Sequence, residues 1–301
     1  MRGNSFRIKV PGSTSNIGPG FDSIGIALDL YLTIECTPSD EWVFTQKDID
    51  KQHLPTGKDN LLYQCASEVA SKYGYHSLPP YHVSIDSDIP IARGLGSSGA
   101  ITVAGVELAN QVLNLQLPIE EKMLRATEME GHPDNVCPSF VGGCVVGYYN
   151  QNQTSLHFTQ KTDMEKVDFV AIIPPFELRT KTAREILPQE LPFVQSIEGS
   201  AIGNVCTAAI FQENYTLLGE LMEKDRFHQS YRKKLIPHYN RVLDLMKSVG
   251  AYGTFLSGAG PTMISICEKG LFEFEEHQWH NEFPEFEWRI LKAAETGVVV
   301  E

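Results

Sequence analysis

The sequence of 301 residues has fewer basic than acidic residues. It contains 25 lysines and arginines but 38 aspartates and glutamates, which gives a formal net charge of −13. An acidic chain repels phosphate backbones, so we expect no nucleic-acid partner. Long apolar runs are also missing, and the run at residues 169–175 is far too short to cross a bilayer. We therefore expect no membrane partner.

The six cysteines, at positions 36, 65, 137, 144, 206 and 267, form no C-x-x-C pair, and most lie among apolar residues. This pattern favours reduced thiols in a core over a metal site or a disulfide framework. No positively charged segment followed by an apolar one opens the sequence, so nothing in it predicts secretion. We expect a cytoplasmic protein.

Strands and helices mix along the chain without steady alternation, which predicts an α+β protein rather than a doubly wound parallel sheet. Strand patterns occur at residues 6–10, 25–37, 81–85, 140–149, 167–174, 263–267 and 288–291. Helical patterns occur at residues 59–73, from about 98 to 113, from Pro118 to about Glu130, at 181–187 and near 271–281. The polar, turn-rich stretch 150–166 predicts a boundary between two domains, at residues 1–155 and 156–301.

The segment 90–100, "PIARGLGSSGA", contains the spacing G-x-G-x-x-G, which dinucleotide-binding folds and protein kinases share. A dinucleotide site is disfavoured because three predicted strands come first, and because Glu120, at the spacing of the ribose-binding acid, lies in a new helix. Protein kinases are excluded because V-A-I-K, H-R-D and D-F-G are missing, and a Walker loop because G-x-x-x-x-G-K-[ST] is missing. For the loop alone, a structural glycine turn remains an alternative.

Two glycines and two serines suit this loop to a phosphate. Gly94 and Gly96 leave room for backbone N–H groups to converge on an anion, and the helix that begins near Ser98 adds unpaired donors and a partial positive charge. Ser97 or Ser98 stands where a helix N-cap belongs. Their hydroxyls also suit Mg²⁺, which prefers oxygen ligands beside substrate phosphates. The loop therefore predicts a site for a triphosphate with Mg²⁺.

Four motifs, in order, resemble those of the GHMP kinases, the small-molecule kinase superfamily of galactokinase, homoserine kinase, mevalonate kinase and phosphomevalonate kinase. They are residues 11–28 ("PGSTSNIGPGFDSIGIAL"), 90–100, 130–143 ("EGHPDNVCPSFVGG") and 255–262 ("FLSGAGPT"). The first and third are similar to those of homoserine kinases in particular, and the resemblance covers nearly the whole chain. One departure is Gly99, where the family more often has alanine. The resemblance assigns the whole loop to ATP: Pro90, Ile91, Ala92, Arg93, Gly94, Leu95, Gly96, Ser97, Ser98, Gly99 and Ala100.

The resemblance implies ATP-dependent phosphorylation of the L-homoserine hydroxyl, which gives O-phospho-L-homoserine in threonine biosynthesis. It implies an ATP-binding N-terminal domain similar to ribosomal protein S5 domain 2, a ferredoxin-like C-terminal domain on the substrate side, and an active site between them. Relatives are often homodimers. Two alternatives are a GHMP-type kinase with a mevalonate-like substrate and a non-catalytic nucleotide-binding relative, although the latter should have lost its metal ligands.

The same resemblance assigns roles to individual residues. Ser98 and Glu130 are the expected Mg²⁺ ligands, with Glu128 as the alternative to Glu130. Asp22 is expected to accept from the substrate ammonium or from the reacting hydroxyl, and Asn16 and Asn135 to orient that hydroxyl; these three form the predicted catalytic set. The further substrate contacts are His132, Thr180, Arg184, Arg232, Gly258 and Gly260, of which the two arginines hold the carboxylate. Mevalonate kinases pair an aspartate, here Asp134, with a lysine of the N-terminal motif, but that motif reads Ser13-Thr14 in this sequence. Without that lysine, we do not expect Asp134 to act as a general base.

Overall fold

The computed structural model describes residues 4–47, 55–272 and 282–301. Within these ranges the chain forms two β-sheets with helices packed against them, which confirms the predicted α+β class. Among the described helices, none has the length and hydropathy needed to span a membrane.

The first sheet has seven strands in the described part of the chain, in the order β11-β1-β2-β4-β3, with β5 paired to the start of β2 and β6 paired to β5. Its pairs are antiparallel except for β3 with β4. The strands are β1 (Phe6–Ser15), β2 (Ile24–Pro38), β3 (Val43–Gln46), β4 (Tyr81–Ser87), β5 (Cys144–Asn150), β6 (Ser155–Lys161) and β11 (Val299–Val300).

The helices of the first half are α1 (Leu61–Lys72), α2 (Ser97–Val112), α3 (Ile119–Glu130) and α4 (Val136–Val141). Helix α2 is buried over most of its length, because apolar residues occupy all its faces. It packs against α1, α3 and β1. Its first turn therefore lies beside the end of β1, where the candidate site forms.

The second sheet is antiparallel, in the order β10-β7-β9-β8, and four described strands build it. They are β7 (Val167–Ile173), β8 (Gly253–Leu256), β9 (Met263–Glu268) and β10 (Glu287–Leu291). The helices of this half are α5 (Thr180–Glu185), α6 (Phe193–Phe211), α7 (Tyr215–Met222), α8 (Gln229–Arg232) and α9 (Tyr239–Ser248). The turn between β8 and β9 returns to the first half, where the Ser257 hydroxyl donates to the Gly94 carbonyl.

The predicted serine N-cap of α2 is wrong. The helix begins at Ser97, and its N-cap is Gly96 in the left-handed region with no side-chain hydrogen bond. The polar stretch 150–166 also contains β6, which belongs to the first sheet. We therefore propose that the domain boundary lies after Lys161 rather than at 155/156. The helix predicted near 271–281 lies almost wholly outside the described residues.

Candidate active site

A cavity of about 290 Å³ lies where segments from both halves of the chain meet. The residues that the resemblance assigns to substrate and metal all line it, although they come from six separate places in the sequence. They are Asn16, Asp22, Ser98, Glu130, His132, Asn135, Thr180, Arg184, Arg232, Gly258 and Gly260.

The glycine loop forms one wall of the cavity with only part of its length. Its lining residues are Ala92, Gly94, Gly96, Ser98 and Gly99. The other side chains turn elsewhere: Pro90, Ile91 and Arg93 line a separate cavity of about 460 Å³, Leu95 and Ala100 are buried in the core, and Ser97 is half-buried. Contacts of Leu95 and Ala100 with ATP would therefore have to use their backbone.

Close packing explains the glycines of the loop. Gly94 and Gly96 have φ of +80° and +75°, a region that side chains with a Cβ rarely adopt. A Cβ on Gly94 would lie 2.3 Å from the Ser257 carbonyl oxygen, and one on Gly96 would lie 2.3 Å from the Ser13 hydroxyl. Gly99 is buried, and a Cβ there would lie 3.0 Å from the Asn135 Cβ. All three glycines thus let the loop approach neighbouring segments.

The end of β1 holds the cavity walls together through hydroxyl groups. The Ser13 hydroxyl donates to Asn135 Oδ1 over 3.0 Å, and Asn135 Nδ2 donates to the Ser15 hydroxyl over 3.2 Å. The Thr14 hydroxyl lies 2.8 Å from that of Ser257. We did not predict from the sequence that these residues belong to the site, although the serine-rich motif "PGSTSN" could have indicated it.

The predicted metal ligands lie side by side. Glu130 Oε1 accepts from the Ser98 hydroxyl at 3.1 Å and from the Thr102 hydroxyl, one turn further along α2, at 2.8 Å. A carboxylate and hydroxyls are the hard oxygen donors that Mg²⁺ takes, so these residues fit the ion. The alternative, Glu128, pairs with Lys72 and Arg125 and is not among the residues that line the cavity.

Asp22 and Arg184 face each other across the cavity mouth. Arg184 donates from Nη2 to Asp22 Oδ1 over 2.8 Å and from Nη1 to Asp22 Oδ2 over 3.1 Å, a bidentate pair. The side chain of Asn16 fixes the Asp22 loop, since its Oδ1 accepts from the Asp22 N–H and its Nδ2 donates to the Gly258 carbonyl, both at 3.0 Å. Asn16 and Asp22 have positive φ, as strained residues at functional sites often do.

Arg232 lies deeper, with 2% of its surface exposed. Its Nε donates to the Ala183 carbonyl over 3.1 Å and its Nη1 to the Gly258 carbonyl over 3.0 Å. Burial, and then the charge of Arg184, lower the pKa of Arg232 to about 10, so it stays cationic at neutral pH. Two guanidinium groups therefore meet at this end of the cavity.

His132 and Asp134 form a pair at the cavity floor through His132 Nδ1. Burial alone lowers the pKa of His132, but the adjacent Asp134 carboxylate, its hydrogen bond and Asp22 raise that pKa to about 9. At neutral pH His132 is therefore an imidazolium. Asp134 Oδ1 also accepts from Asn135 Nδ2, at 3.4 Å, and the residue is 1% exposed. Both contacts are therefore made to the same carboxylate oxygen, Oδ1.

Comparison with known proteins agrees with this geometry. The family model for the N-terminal domain of GHMP kinases matches residues 60–143, and that for the C-terminal region of GHMP kinases matches residues 206–285. Curated homoserine kinases from Halalkalibacterium halodurans and Bacillus pumilus are 45% and 44% identical to this chain over 296 residues. Each match covers 98% of this chain and 94% of the relative.

Solved structures extend the comparison to three dimensions. One described as a homoserine kinase from Listeria monocytogenes matches with a TM-score of 0.83 and 36% identity, over 98% of this chain and 99% of that chain. Homoserine kinase from Cytophaga hutchinsonii shares the fold, with a TM-score of 0.84 and 24% identity, over 99% of this chain and 97% of that chain. These matches confirm the GHMP kinase fold with its two domains. The chain therefore belongs to the homoserine kinases of the GHMP kinase family.

Proposed function

We propose that the protein transfers the γ-phosphoryl group of ATP to the hydroxyl of L-homoserine, giving O-phospho-L-homoserine and ADP. One observation carries the proposal: a single cavity is lined by side chains that can bind both charges of an amino acid and by a glycine loop suited to phosphates. Asp22 with the two arginines lines one part, and Gly94 and Gly96 line another.

The charges of the cavity fit a zwitterion. The carboxylate of homoserine would be held by Arg184 and Arg232, and its ammonium by Asp22. In the structure Arg184 and Asp22 bind each other, so a zwitterion that enters replaces one ion pair by two. A hydroxy acid without an ammonium, such as mevalonate, would bind Arg184 through its carboxylate and leave the Asp22 carboxylate without a cationic partner. This difference favours homoserine over a mevalonate-like substrate.

The amides of Asn16 and Asn135 have capacity left for the reacting hydroxyl. Asn16 Nδ2 uses one of its two hydrogens on Gly258, and Asn135 Oδ1 uses one of its two lone pairs on Ser13. An oriented hydroxyl oxygen forms a bond to the γ-phosphorus while the bond from that phosphorus to ADP breaks, and the hydroxyl proton passes to a phosphate oxygen or to water. Such positioning accounts for much of the catalysis of phosphoryl transfer, and it needs no dedicated base.

Ser98 and Glu130 would hold Mg²⁺ beside the phosphates, and the ion, when bound, neutralises phosphate charge. Their pairing in the structure holds the two oxygen donors together before any ligand arrives. A homodimer and a cytoplasmic location remain predictions.

A coupled assay of ADP release tests the proposed function. The protein is incubated with ATP and Mg²⁺ and with homoserine, mevalonate or galactose, and the product is identified by ³¹P NMR. We expect ADP release with homoserine and a new phosphomonoester signal. Faster turnover of mevalonate would overturn the substrate assignment, and ADP binding without turnover of any acceptor would indicate a non-catalytic relative.

A further inference from the structure

Behind Arg232 lies a histidine that the motifs did not single out. His228 is fully buried, just before α8, and it lies between the loop that carries Asp22 and the Arg232 guanidinium. One ring nitrogen, Nε2, lies 2.9 Å from the Gly18 carbonyl oxygen, and the other, Nδ1, lies 3.1 Å from Arg232 Nη1. The two contacts therefore join the loop that carries Asp22 to Arg232.

The partners of His228 determine its tautomer. A guanidinium can only donate, so Nδ1 must be the unprotonated nitrogen that accepts from Arg232. A carbonyl can only accept, so Nε2 carries the hydrogen and donates to Gly18. Burial is the largest effect on the pKa of His228 and lowers it. The Asp225 carboxylate raises this pKa and the Arg232 charge lowers it further, which leaves it at about 4. The imidazole is therefore neutral at physiological pH, in agreement with the geometry.

His228 determines which edge of Arg232 faces the cavity. Nε is used on Ala183, and the two hydrogens of Nη1 are used on His228 and on Gly258. Among the described residues no acceptor binds Nη2, so both of its hydrogens remain for a ligand. Because a guanidinium is planar, fixing Nε and Nη1 also fixes the direction of Nη2.

The same histidine supports the loop that carries Asp22. The ring of Phe21 stacks on that of His228, with centroids 5.2 Å apart and planes 18° apart. The guanidinium carbons of Arg232 and Arg184 lie 5.2 and 5.7 Å from the centre of the Phe21 ring. Through Gly18 and Phe21, His228 thus contacts both ends of the turn that presents Asp22.

We propose that His228 is a positioning residue for substrate recognition: its neutral imidazole aims the free edge of Arg232 at the acceptor carboxylate and ties Arg232 to the Asp22 loop. The inference rests on the proposed function, since it takes that carboxylate to be homoserine's. It assigns His228 no contact with the substrate, so its effect must pass through Arg232, whose carboxylate partner 3-aminopropan-1-ol lacks.

Two variants and a shortened substrate test this role. His228→Phe keeps a stacked ring and removes both hydrogen bonds, whereas His228→Asn keeps an acceptor near the Nδ1 position and loses the bond to Gly18. The shortened substrate, 3-aminopropan-1-ol, is homoserine without its carboxylate. His157→Phe is the matched control, because His157 also stacks on an aromatic ring, that of Tyr148, but is exposed on β6.

For His228→Phe we expect kcat/KM for homoserine to fall about ten- to a hundredfold, mainly through KM, since a hydrogen bond to a charged group is lost. His228→Asn should lose less, about three- to tenfold on the same scale. In both variants the KM for ATP and the kcat/KM for 3-aminopropan-1-ol should stay within about twofold of wild type. If 3-aminopropan-1-ol is turned over too slowly to measure, its inhibition constant in competition with homoserine is compared between the variants instead of kcat/KM.

An equal loss for homoserine and for 3-aminopropan-1-ol would assign His228 a merely structural role and overturn the inference, as would no loss for either. If circular dichroism shows that His228→Phe does not fold, His228→Asn tests the inference through the same comparison of the losses for homoserine and for 3-aminopropan-1-ol. Failure of the wild-type protein to phosphorylate homoserine would instead overturn the proposed function, so the two failures can be distinguished.

Discussion

Replacing Arg184 by alanine should weaken acceptor binding strongly and change stability little. In the free protein Arg184 pairs with Asp22, but the two side chains are 40% and 33% exposed, and such exposed pairs contribute only about 0–1 kcal/mol to folding. With homoserine bound, the same guanidinium would hold a carboxylate by charge-assisted hydrogen bonds. Such bonds contribute about 1.5–3 kcal/mol, which corresponds to a rise in the homoserine KM of roughly ten- to a hundredfold.

The assay varies homoserine at saturating ATP and then ATP at saturating homoserine, and urea unfolding gives the stability of each variant. Arg226→Ala is the matched control, because Arg226 also makes a bidentate pair, at 2.9 and 3.1 Å with Glu198, and both partners are about half exposed. Both variants should lose similar, small amounts of stability, and only Arg184→Ala should raise the homoserine KM. An unchanged KM would remove Arg184 from the site and refute the zwitterion hypothesis.

Three further substitutions test other parts of the site. Glu130→Gln should lower kcat and raise the Mg²⁺ concentration needed for half-maximal activity, while Glu128→Gln should do neither; full activity of the first variant at low Mg²⁺ would exclude Glu130 as a ligand. Gly96→Ala places a Cβ 2.3 Å from a hydroxyl at φ +75° and should destabilise the protein by about 1–3 kcal/mol in urea. Its control is Gly74→Ala, because Gly74 has φ +81° but no atom within 4 Å of an added Cβ. Equal losses of stability in the two variants would exclude the clash as the cause. His132 has a folded pKa of about 9, above its unfolded value, so its contribution to stability is complete below about pH 6.5 and is lost as the pH rises towards 9. The free energy of unfolding should therefore fall by up to about 2 kcal/mol between pH 6.5 and 8, and His132→Asn should abolish that change; an unaltered slope would contradict the imidazolium.

Periodicity predicted most elements of the fold. The helix from Pro118 to Glu130 is confirmed, and so are strands near 25–37 and 263–267, because each has one apolar face or is apolar throughout. Strand β6 was missed because its side chains are exposed or half-buried, so that its position depends on backbone pairing with β5. A polar strand of this kind leaves no hydrophobic period to detect.

The candidate site was predicted as a set of residues but not as a set of contacts. The family resemblance identified Asp22, Arg184 and Arg232, and the cavity includes them. The pair of Asp22 and Arg184, for example, joins residues 162 positions apart in sequence, and local patterns carry no signal for such pairs. The same holds for Gly99: in the sequence it is only a departure from the family's alanine, whereas in the structure it allows Asn135 to approach α2.

The two arginines differ in burial, and under the proposed function this difference predicts the order in which they bind the carboxylate. Arg232 is buried and held by the carbonyls of Ala183 and Gly258, so its orientation exists before substrate arrives. Arg184 is partly exposed, and its partner Asp22 is itself a predicted substrate contact. A zwitterion must therefore open the Arg184–Asp22 pair, and a fixed Arg232 lowers the ordering cost of doing so, since one anchor for the carboxylate needs no rearrangement. Under the proposed function, selectivity for an amino acid then depends on the exposed Arg184–Asp22 pair, whereas the buried Arg232 supplies the fixed contact for the carboxylate.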